Sequence, residues 1–329
     1  MNIPRLMLIG WVLAGWAGLA AASGYDPLAA GPDFKAKQLD LTVNDAARKR
    51  DVPVLVYLPE KKDAAPVVLF SHGLGGSRKM GGYLGNHWAA RGYVAVFVQH
   101  PGSDESVWKD KPLGGRMNEM RDAASLENLQ LRIKDIPVVL DQLTAWNADA
   151  KHALSGRLDM GKVGMSGHSF GAVTTQAVSG QSMPLVGQKW TDPRIRAAVA
   201  FSPSAPRAGS VERAFGSVKI PWMLMTGTND TSPIGNTDVA SRLAVYPALR
   251  GAPKYELVLD GAEHSVFTDR ALPGDKQARN PNHHRVIQAL STAFWDAHLK
   301  GDSSALAWLQ GKGPRGVMES ADRWRFEAK

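Results

Sequence analysis

The stretch that most constrains the fold is residues 162–172, KVGMSGHSFGA. A short apolar run leads into Gly167 and a helix-compatible run follows Gly171, so Ser169 lies between two glycines at a strand-to-helix turn. A serine at such a turn adopts a strained backbone conformation that directs its hydroxyl out of the sheet. Side chains two positions before and after it would collide with the neighbouring strand and helix, which explains the glycines. The stretch therefore predicts a buried strand, a sharp turn that exposes a serine, and a helix.

Apolar runs and helical spacing alternate along the rest of the chain. Two alternating segments, 37–43 and 52–59, are close enough to form an antiparallel hairpin. The remaining apolar runs are typical of buried strands, and helical spacing is clearest over residues 126–143. This order predicts an α/β protein with the α/β-hydrolase fold, in which a mostly parallel, eight-stranded, doubly wound sheet follows an N-terminal antiparallel hairpin. The predicted strands are 37–43, 52–59, 67–71, 94–99, 162–166, 197–201, 222–226 and 255–259.

The N-terminus has the pattern of a secretory signal peptide. Residues 1–5 carry a positive charge, residues 6–19 are apolar, and three alanines at 20–22 offer a small-residue cleavage site. The apolar run is too short and too rich in glycine for a convincing membrane span. The alternative to a cleaved signal peptide is an N-terminal anchor that stays uncleaved. We predict residues 1–22 as the signal peptide and residues 23–329 as a single α/β-hydrolase domain. The product would be exported to the periplasm or the medium.

Composition restricts the partners and the chemistry. The chain is 44% hydrophobic and 21% charged, as expected of a globular protein with a sizeable core. Its net charge of +8 is spread over scattered basic residues, and this pattern favours a solvated surface over a nucleic-acid interface. The absence of cysteine excludes a cysteine nucleophile and thiolate metal sites. The histidines also lack metal-ligand spacing, so we expect neither a metal nor a cofactor.

Three polar residues, Ser169, Asp230 and His264, each follow a predicted buried strand. The carboxyl ends of parallel strands lie at one edge of a sheet, and this chain order is the one used on the α/β-hydrolase fold. His264 would take the serine proton and return it to the leaving group, while Asp230 would orient the imidazole and stabilise the imidazolium. The backbone amides of Phe170 and of Leu74, within a glycine-rich loop, are the predicted oxyanion hole.

The acid and the histidine of this set have competitors. Asp260 and Glu263 are alternative acids, but both lie beside the candidate histidine on its own loop. His283 and His284 are alternative histidines, but they precede a helix and are typical of surface or capping residues. His168, directly before the serine, is expected to pack under the turn.

Three further residues are candidates for the pocket: His72, His100 and Trp108. His72 is expected to orient the oxyanion loop. His100 ends a predicted strand, and Trp108 could serve as a lid, core or substrate-platform residue. Lid-like loops around residues 101–125 and 202–218 would form the acyl and alcohol pockets.

Five segments together resemble the bacterial dienelactone-hydrolase-like proteins related to platelet-activating-factor acetylhydrolase. They are DAARKRDVPVLVYLP (45–59), PVVLFSHGLGGSR (66–78), QHPGSD (99–104), LRIKDIPVVLDQL (131–143) and GHSFGA (167–172). The resemblance covers roughly residues 40–300 and implies an α/β-hydrolase that acts on ester bonds, with the triad and oxyanion hole named above. Dienelactone hydrolases use a cysteine nucleophile, which this chain lacks, so their chemistry is not implied. Ala172 stands where acetylhydrolases commonly have glycine.

The expected function is therefore a secreted serine hydrolase that cleaves carboxylic esters through an acyl-enzyme. Its substrate would be a small-molecule or lipid-like ester, with no nucleic-acid partner and no stable membrane span after signal cleavage. An amide hydrolase or an acyltransferase would use the same triad, because the acceptor of the acyl group distinguishes the three reactions. A catalytically silent binding protein on this fold is disfavoured, because all three candidate residues are present.

Overall fold

Nine strands form one sheet in the computed structural model, which describes residues 24–29, 34–235, 237–272 and 274–328. The strands are β1 (Lys37–Asp45), β2 (Arg50–Leu58), β3 (Ala65–Ser71), β4 (Val94–Val98), β5 (Leu158–His168), β6 (Ile195–Phe201), β7 (Trp222–Asn229), β8 (Lys254–Glu263) and β9 (Arg323–Glu327). Their order across the sheet is β1-β2-β4-β3-β5-β6-β7-β8-β9. The predicted signal peptide, residues 1–22, lies outside the described residues.

The sheet is parallel at its centre and antiparallel at both edges. Strands β4, β3, β5, β6, β7 and β8 pair in parallel. At one edge β1 and β2 form an antiparallel hairpin, and β2 also pairs antiparallel with β4. All eight predicted strands are present, so the α/β prediction stands, but the predicted number of strands is one too low.

The additional strand, β9, pairs antiparallel with β8 at the other edge. Trp324 and Phe326 stack on Tyr255 of β8, and Arg325 pairs with Glu256 at 2.6 Å. The segment is short and alternates charged with aromatic side chains, because one face is solvated and the other covers the sheet edge. Aromatic contacts across the edge, rather than an apolar run, hold it in the sheet.

Helices cover both faces of the sheet. They are α1 (Gly82–Ala90), α2 (Arg116–Ala123), α3 (Leu126–Ala148), α4 (Phe170–Val178), α5 (Val211–Phe215), α6 (Val239–Leu243), α7 (Val245–Ala248), α8 (Pro281–Leu299) and α9 (Ser303–Gln310). The buried faces of α1 and α8 share one apolar core with the sheet, and those of α3 and α4 share another. In the described ranges, no helix has the length and apolarity needed to cross a membrane.

Three of the parallel strands end directly before the candidate residues. β5 ends at His168, β7 at Asn229 and β8 at Glu263. The pairing of β7 with β8 shifts register after Gly227, where a Cβ would overlap the Ala262 carbonyl oxygen. This close approach keeps the ends of β7 and β8 together, at the same edge where β5 ends.

Candidate active site

Ser169 occupies the turn between β5 and α4 with φ 56° and ψ −116°. Its amide donates to the Phe201 carbonyl oxygen at 3.0 Å, which ties the turn to the end of β6. A Cβ on Gly171 would overlap the Ser71 carbonyl oxygen of β3, and a Cβ on Gly167 would overlap the Gly171 backbone. The two glycines are therefore required by the close approach of strand and helix, as the pentapeptide predicted.

The structure brings the three predicted residues into one chain of hydrogen bonds. Ser169 Oγ lies 2.8 Å from His264 Nε2, and His264 Nδ1 lies 2.6 Å from Asp230 Oδ1. With its Nδ1–H donating to the carboxylate, a neutral imidazole has Nε2 free to accept the serine proton. The His264 side chain is 16% exposed and Asp230 is fully buried. A substrate can thus reach the serine and the imidazole, while the acid is shielded from water.

The second oxygen of Asp230 is held by two hydroxyls. Ser202 Oγ donates to Oδ2 at 2.7 Å and Thr226 Oγ1 donates at 2.8 Å. Ser202 has φ 56° at the end of β6 and directs its hydroxyl at the acid. Burial alone would raise the pKa of Asp230, but the charge and hydrogen bond of His264 and the charge of Arg242 hold it well below its usual range.

Arg242, which the sequence analysis missed, lies against both the acid and the imidazole. Its Nε lies 3.0 Å from Asp230 Oδ1 and its Nη2 lies 3.1 Å from His264 Nδ1. It also donates to the backbone carbonyls of Asp230 at 2.7 Å and Ser202 at 2.9 Å. Arg242 is 1% exposed, and nothing in the pattern of residues 239–249 marks an arginine as buried. Ser202 could have been found from the sequence, because it follows a predicted buried strand, as the three candidate residues do.

The predicted oxyanion loop runs directly over Ser169. A Cβ on Gly73 would lie 3.4 Å from Ser169 Cβ. Within the described part of the chain, the backbone amides of Leu74 and Phe170 have no protein acceptor. The loop brings the Leu74 donor to the region of the serine, and the start of α4 brings the Phe170 donor. An oxyanion hole requires two such donors.

The candidate pocket residues lie around this loop, and two of them lie behind it. His72 and His100 are 1% and 0% exposed, so neither faces a cleft as predicted for the pocket. The His100 ring lies between Asp135 Oδ2 and Ser71 Oγ, each at 2.9 Å, because a buried imidazole must satisfy both nitrogens. Trp108 is half-buried and donates its indole N–H to the Gly75 carbonyl oxygen at 2.7 Å. The 101–125 segment is thereby anchored to the loop.

The competing acids and histidines face other partners. Glu263 accepts hydrogen bonds from the amides of residues 276 and 277, and Asp260 is exposed. His284 stacks on Tyr83 with ring centroids 3.8 Å apart. His283 is buried in the first turn of α8, although a surface or capping position was expected. Across the part of the chain that is described, no group of three or more potential ligands has metal-binding geometry.

His168 is packed under the turn, as predicted. It is 4% exposed, and its Nε2–H donates to the His264 carbonyl oxygen at 3.0 Å. Its Nδ1 would lie 3.2 Å from a Cβ on Gly73. His168 therefore links the strand of the serine, the turn of the histidine and the oxyanion loop.

Four buried imidazoles and one half-buried imidazole make the fold sensitive to acid. Burial lowers the pKa of His87, His100 and His298 to about 4. Burial and neighbouring positive charge hold the pKa of His72 and of His168 well below the usual value of histidine. An unfolded histidine titrates near pH 6.5, so between about pH 6.5 and about pH 4 the unfolded chain binds more protons. The free energy of unfolding should fall as the pH is lowered through this window, by up to about 1.4 kcal/mol per pH unit for each group.

Urea unfolding at several pH values across the window measures this slope. His298→Gln, far from the candidate site, should reduce this slope by the contribution of one histidine, which corresponds to about one proton fewer taken up on unfolding. A free energy of unfolding that is constant across the window would contradict the burial of neutral imidazoles.

The comparison with known families adds an independent observation. The model of the family described as platelet-activating factor acetylhydrolase, isoform II, matches residues 56–110. This range includes Leu74 and the predicted oxyanion loop, and it ends before β5. The comparison with curated proteins returns no match. The family match agrees with the resemblance in the sequence and supports a platelet-activating-factor-acetylhydrolase-like family of α/β-hydrolases for this chain.

Proposed function

We propose that the protein is an exported serine esterase that hydrolyses carboxylic esters through an acyl-enzyme on Ser169. The observation that carries the proposal is the chain of hydrogen bonds from Ser169 Oγ through His264 to Asp230, with distances of 2.8 Å and 2.6 Å. The family match, which implies ester hydrolysis, supports it independently.

The mechanism follows from these positions. Ser169 Oγ attacks the ester carbonyl carbon while its proton passes to His264 Nε2, and Asp230 stabilises the resulting imidazolium. The amides of Leu74 and Phe170 donate to the oxyanion. Collapse of the tetrahedral intermediate expels the alcohol, which takes the proton from His264. A water molecule then repeats the sequence on the acyl-enzyme, releases the carboxylic acid and restores the serine.

The substrate class in this proposal is a small-molecule or lipid-like ester. A chain-length series of p-nitrophenyl esters, with a phospholipid and a polyester film alongside, would rank the acyl and alcohol groups. The matching p-nitroanilides and added alcohol acceptors distinguish an amide hydrolase or an acyltransferase, because all three reactions share the acyl-enzyme.

Export is the other part of the proposal, and it rests on the pattern of residues 1–22. Expression in an exporting bacterial host should yield a mature protein that begins at residue 23, outside the cytoplasm. N-terminal sequencing of the fractionated protein tests this, and retention of residues 1–22 would contradict cleavage.

Labelling with a fluorophosphonate tests the nucleophile. The wild-type protein should be labelled and should hydrolyse p-nitrophenyl acetate, whereas Ser169→Ala should do neither. Ser166→Ala is a matched control, because it removes a buried hydroxyl of the same strand that donates to the Leu69 carbonyl oxygen at 2.7 Å. It should retain both labelling and turnover. Retained turnover in Ser169→Ala would overturn the assignment.

A further inference from the structure

A fully buried arginine lies behind the proposed oxyanion hole. Arg132, on α3, is 0% exposed. Its Nη1 donates to the His72 carbonyl oxygen at 2.7 Å, its Nε donates to Ser103 Oγ at 2.8 Å, and its Nη2 lies 3.4 Å from the Gly73 carbonyl oxygen. Its guanidinium carbon lies 4.5 Å from the centroid of the Phe170 ring. One guanidinium therefore contacts the loop that carries one proposed donor and the residue that carries the other.

The N–H donors of the Arg132 side chain have unusual partners for a buried cation. Arg48 and Arg50 on the neighbouring hairpin both pair with the buried Asp135. Arg132 forms no ion pair within the described ranges, although burying a guanidinium costs free energy. Burial lowers the pKa of Arg132 to about 9. Its hydrogen bonds go to carbonyl and hydroxyl oxygens at the site, which points to a role in holding backbone there.

The contact with Gly73 bears on the direction of the Leu74 amide. The Gly73 carbonyl and the Leu74 N–H are two ends of one peptide unit, and in a trans peptide they point in opposite directions. The carbonyl oxygen accepts from His72 Nδ1 at 2.6 Å and from the Gly76 amide at 3.0 Å, with Arg132 as a third, longer contact. Donors on the carbonyl oxygen fix the peptide plane and polarise its N–H, which makes the N–H a better donor.

The tautomer of His72 agrees with this arrangement. The His100 amide donates to His72 Nε2 at 3.1 Å, so the ring proton of a neutral His72 lies on Nδ1 and is donated to Gly73. Burial and the Arg132 charge lower the pKa of His72, which keeps the ring neutral. Arg132 thus contacts the peptide directly at the Gly73 carbonyl oxygen. It also acts indirectly, because its hydrogen bond to the His72 carbonyl oxygen holds the residue whose ring donates to Gly73.

We propose that Arg132 is a positioning residue for both halves of the oxyanion hole. It holds the Leu74 amide through the Gly73 carbonyl and the Phe170 amide through packing against the aromatic ring. The inference rests on the proposed function. Because the oxyanion forms only in the transition state, loss of this positioning lowers kcat and leaves KM nearly unchanged.

The variant Arg132→Lys keeps the charge and loses the planar fork of donors. For p-nitrophenyl acetate, kcat should fall about 10-fold or more, while KM changes less than about 2-fold. The affinity for a boronic acid, whose tetrahedral serine adduct places an oxygen in the oxyanion hole, should fall by a similar factor. Arg194→Lys is the matched control: this arginine contacts the Pro137 carbonyl oxygen on the same helix at 3.3 Å, away from the site, and kcat should be unchanged.

Amide resonances separate this inference from the proposed function. The Leu74 and Phe170 amide resonances should shift in Arg132→Lys and not in Arg194→Lys, whether or not the protein turns over an ester. Unchanged resonances and boronate affinity in folded Arg132→Lys would overturn the inference while Ser169-dependent turnover stands. Shifted resonances with turnover that survives Ser169→Ala would overturn the proposed function alone.

A second pair of variants reaches the same peptide through His72. His72→Asn offers an amide donor near the position of Nδ1, whereas His72→Leu offers none. If Arg132→Lys does not fold, the asparagine variant should still retain a larger share of kcat than the leucine variant, at similar KM. Equal kcat in the two variants would overturn the part of the inference that acts through the Gly73 carbonyl oxygen.

Discussion

Replacing Ser169 with glycine is expected to abolish ester turnover and, at the same time, to raise the free energy of unfolding above that of Ser169→Ala. The nucleophile is lost, so kcat for p-nitrophenyl acetate should fall by about a million-fold. The backbone at this position has φ 56° and ψ −116°, which strains any residue that carries a Cβ. Glycine relieves a strain of about 1–3 kcal/mol and loses about 1 kcal/mol through the entropy of the unfolded chain. Relative to Ser169→Ala, which also lacks the hydroxyl that bonds to His264, a net stabilisation of about 1 kcal/mol should remain.

The alanine variant is the matched control for this prediction. Ser169→Ala also lacks the nucleophile, but it keeps the Cβ and therefore the strain. Urea unfolding should rank the glycine variant above the alanine variant, with both inactive. A glycine variant less stable than the alanine variant would show that the strained turn does not store free energy.

The second large effect is expected for Asp230→Asn, which should lower kcat/KM by about a thousand- to ten-thousand-fold. The geometry can survive the change. An amide oxygen at the position of Oδ1 still accepts the His264 Nδ1–H, and the hydroxyls of Ser202 and Thr226 can turn to accept from the amide nitrogen. What is lost is the negative charge that stabilises the imidazolium. Arg242 lies 3.0 Å from Oδ1 in the wild-type protein. In the variant its positive charge repels the imidazolium, and no carboxylate offsets that charge.

A double-mutant cycle with Arg242→Gln tests this account. The two substitutions remove opposite charges beside one imidazole, so their effects on kcat/KM should be strongly non-additive. Thermal unfolding must show that each variant is folded. If the loss of kcat/KM in the double variant equals the product of the losses in the two single variants, the charge pairing of Asp230 and Arg242 would be contradicted.

The sheet and the meeting of the three candidate residues could be predicted because they follow from local patterns. Buried strands appear as apolar runs, and parallel strands bring their carboxyl ends to one edge. Ser169, Asp230 and His264 each follow such a run, so their proximity needed no knowledge of side-chain packing. Their catalytic roles stay a proposal that the variants above test.

The parts that escaped prediction depend on tertiary contacts. Arg132 and Arg242 are charged residues on helices α3 and α6, and only the assembled structure shows that each of them donates to backbone carbonyls. Residues 239–248 form two short helices, α6 and α7, which meet at Ala244. Helix α2 lies within the segment 101–125, which was predicted as a loop. The helix was not predicted because its sequence, RMNEMRDA, has almost no apolar face. A buried cation and a polar surface helix leave no periodic signal.

The central claim, an acyl-enzyme on Ser169, is tested most directly by trapping that intermediate. The wild-type protein is mixed with p-nitrophenyl acetate, quenched in acid within the first turnover and digested, and the fragments that span β5 and α4 are sequenced by mass spectrometry. The account predicts a burst of nitrophenol and an acetyl group on Ser169. It also predicts that neither appears in Ser169→Ala. Steady turnover with the acetyl group on another residue, or with Ser169 unmodified throughout a burst, would contradict it.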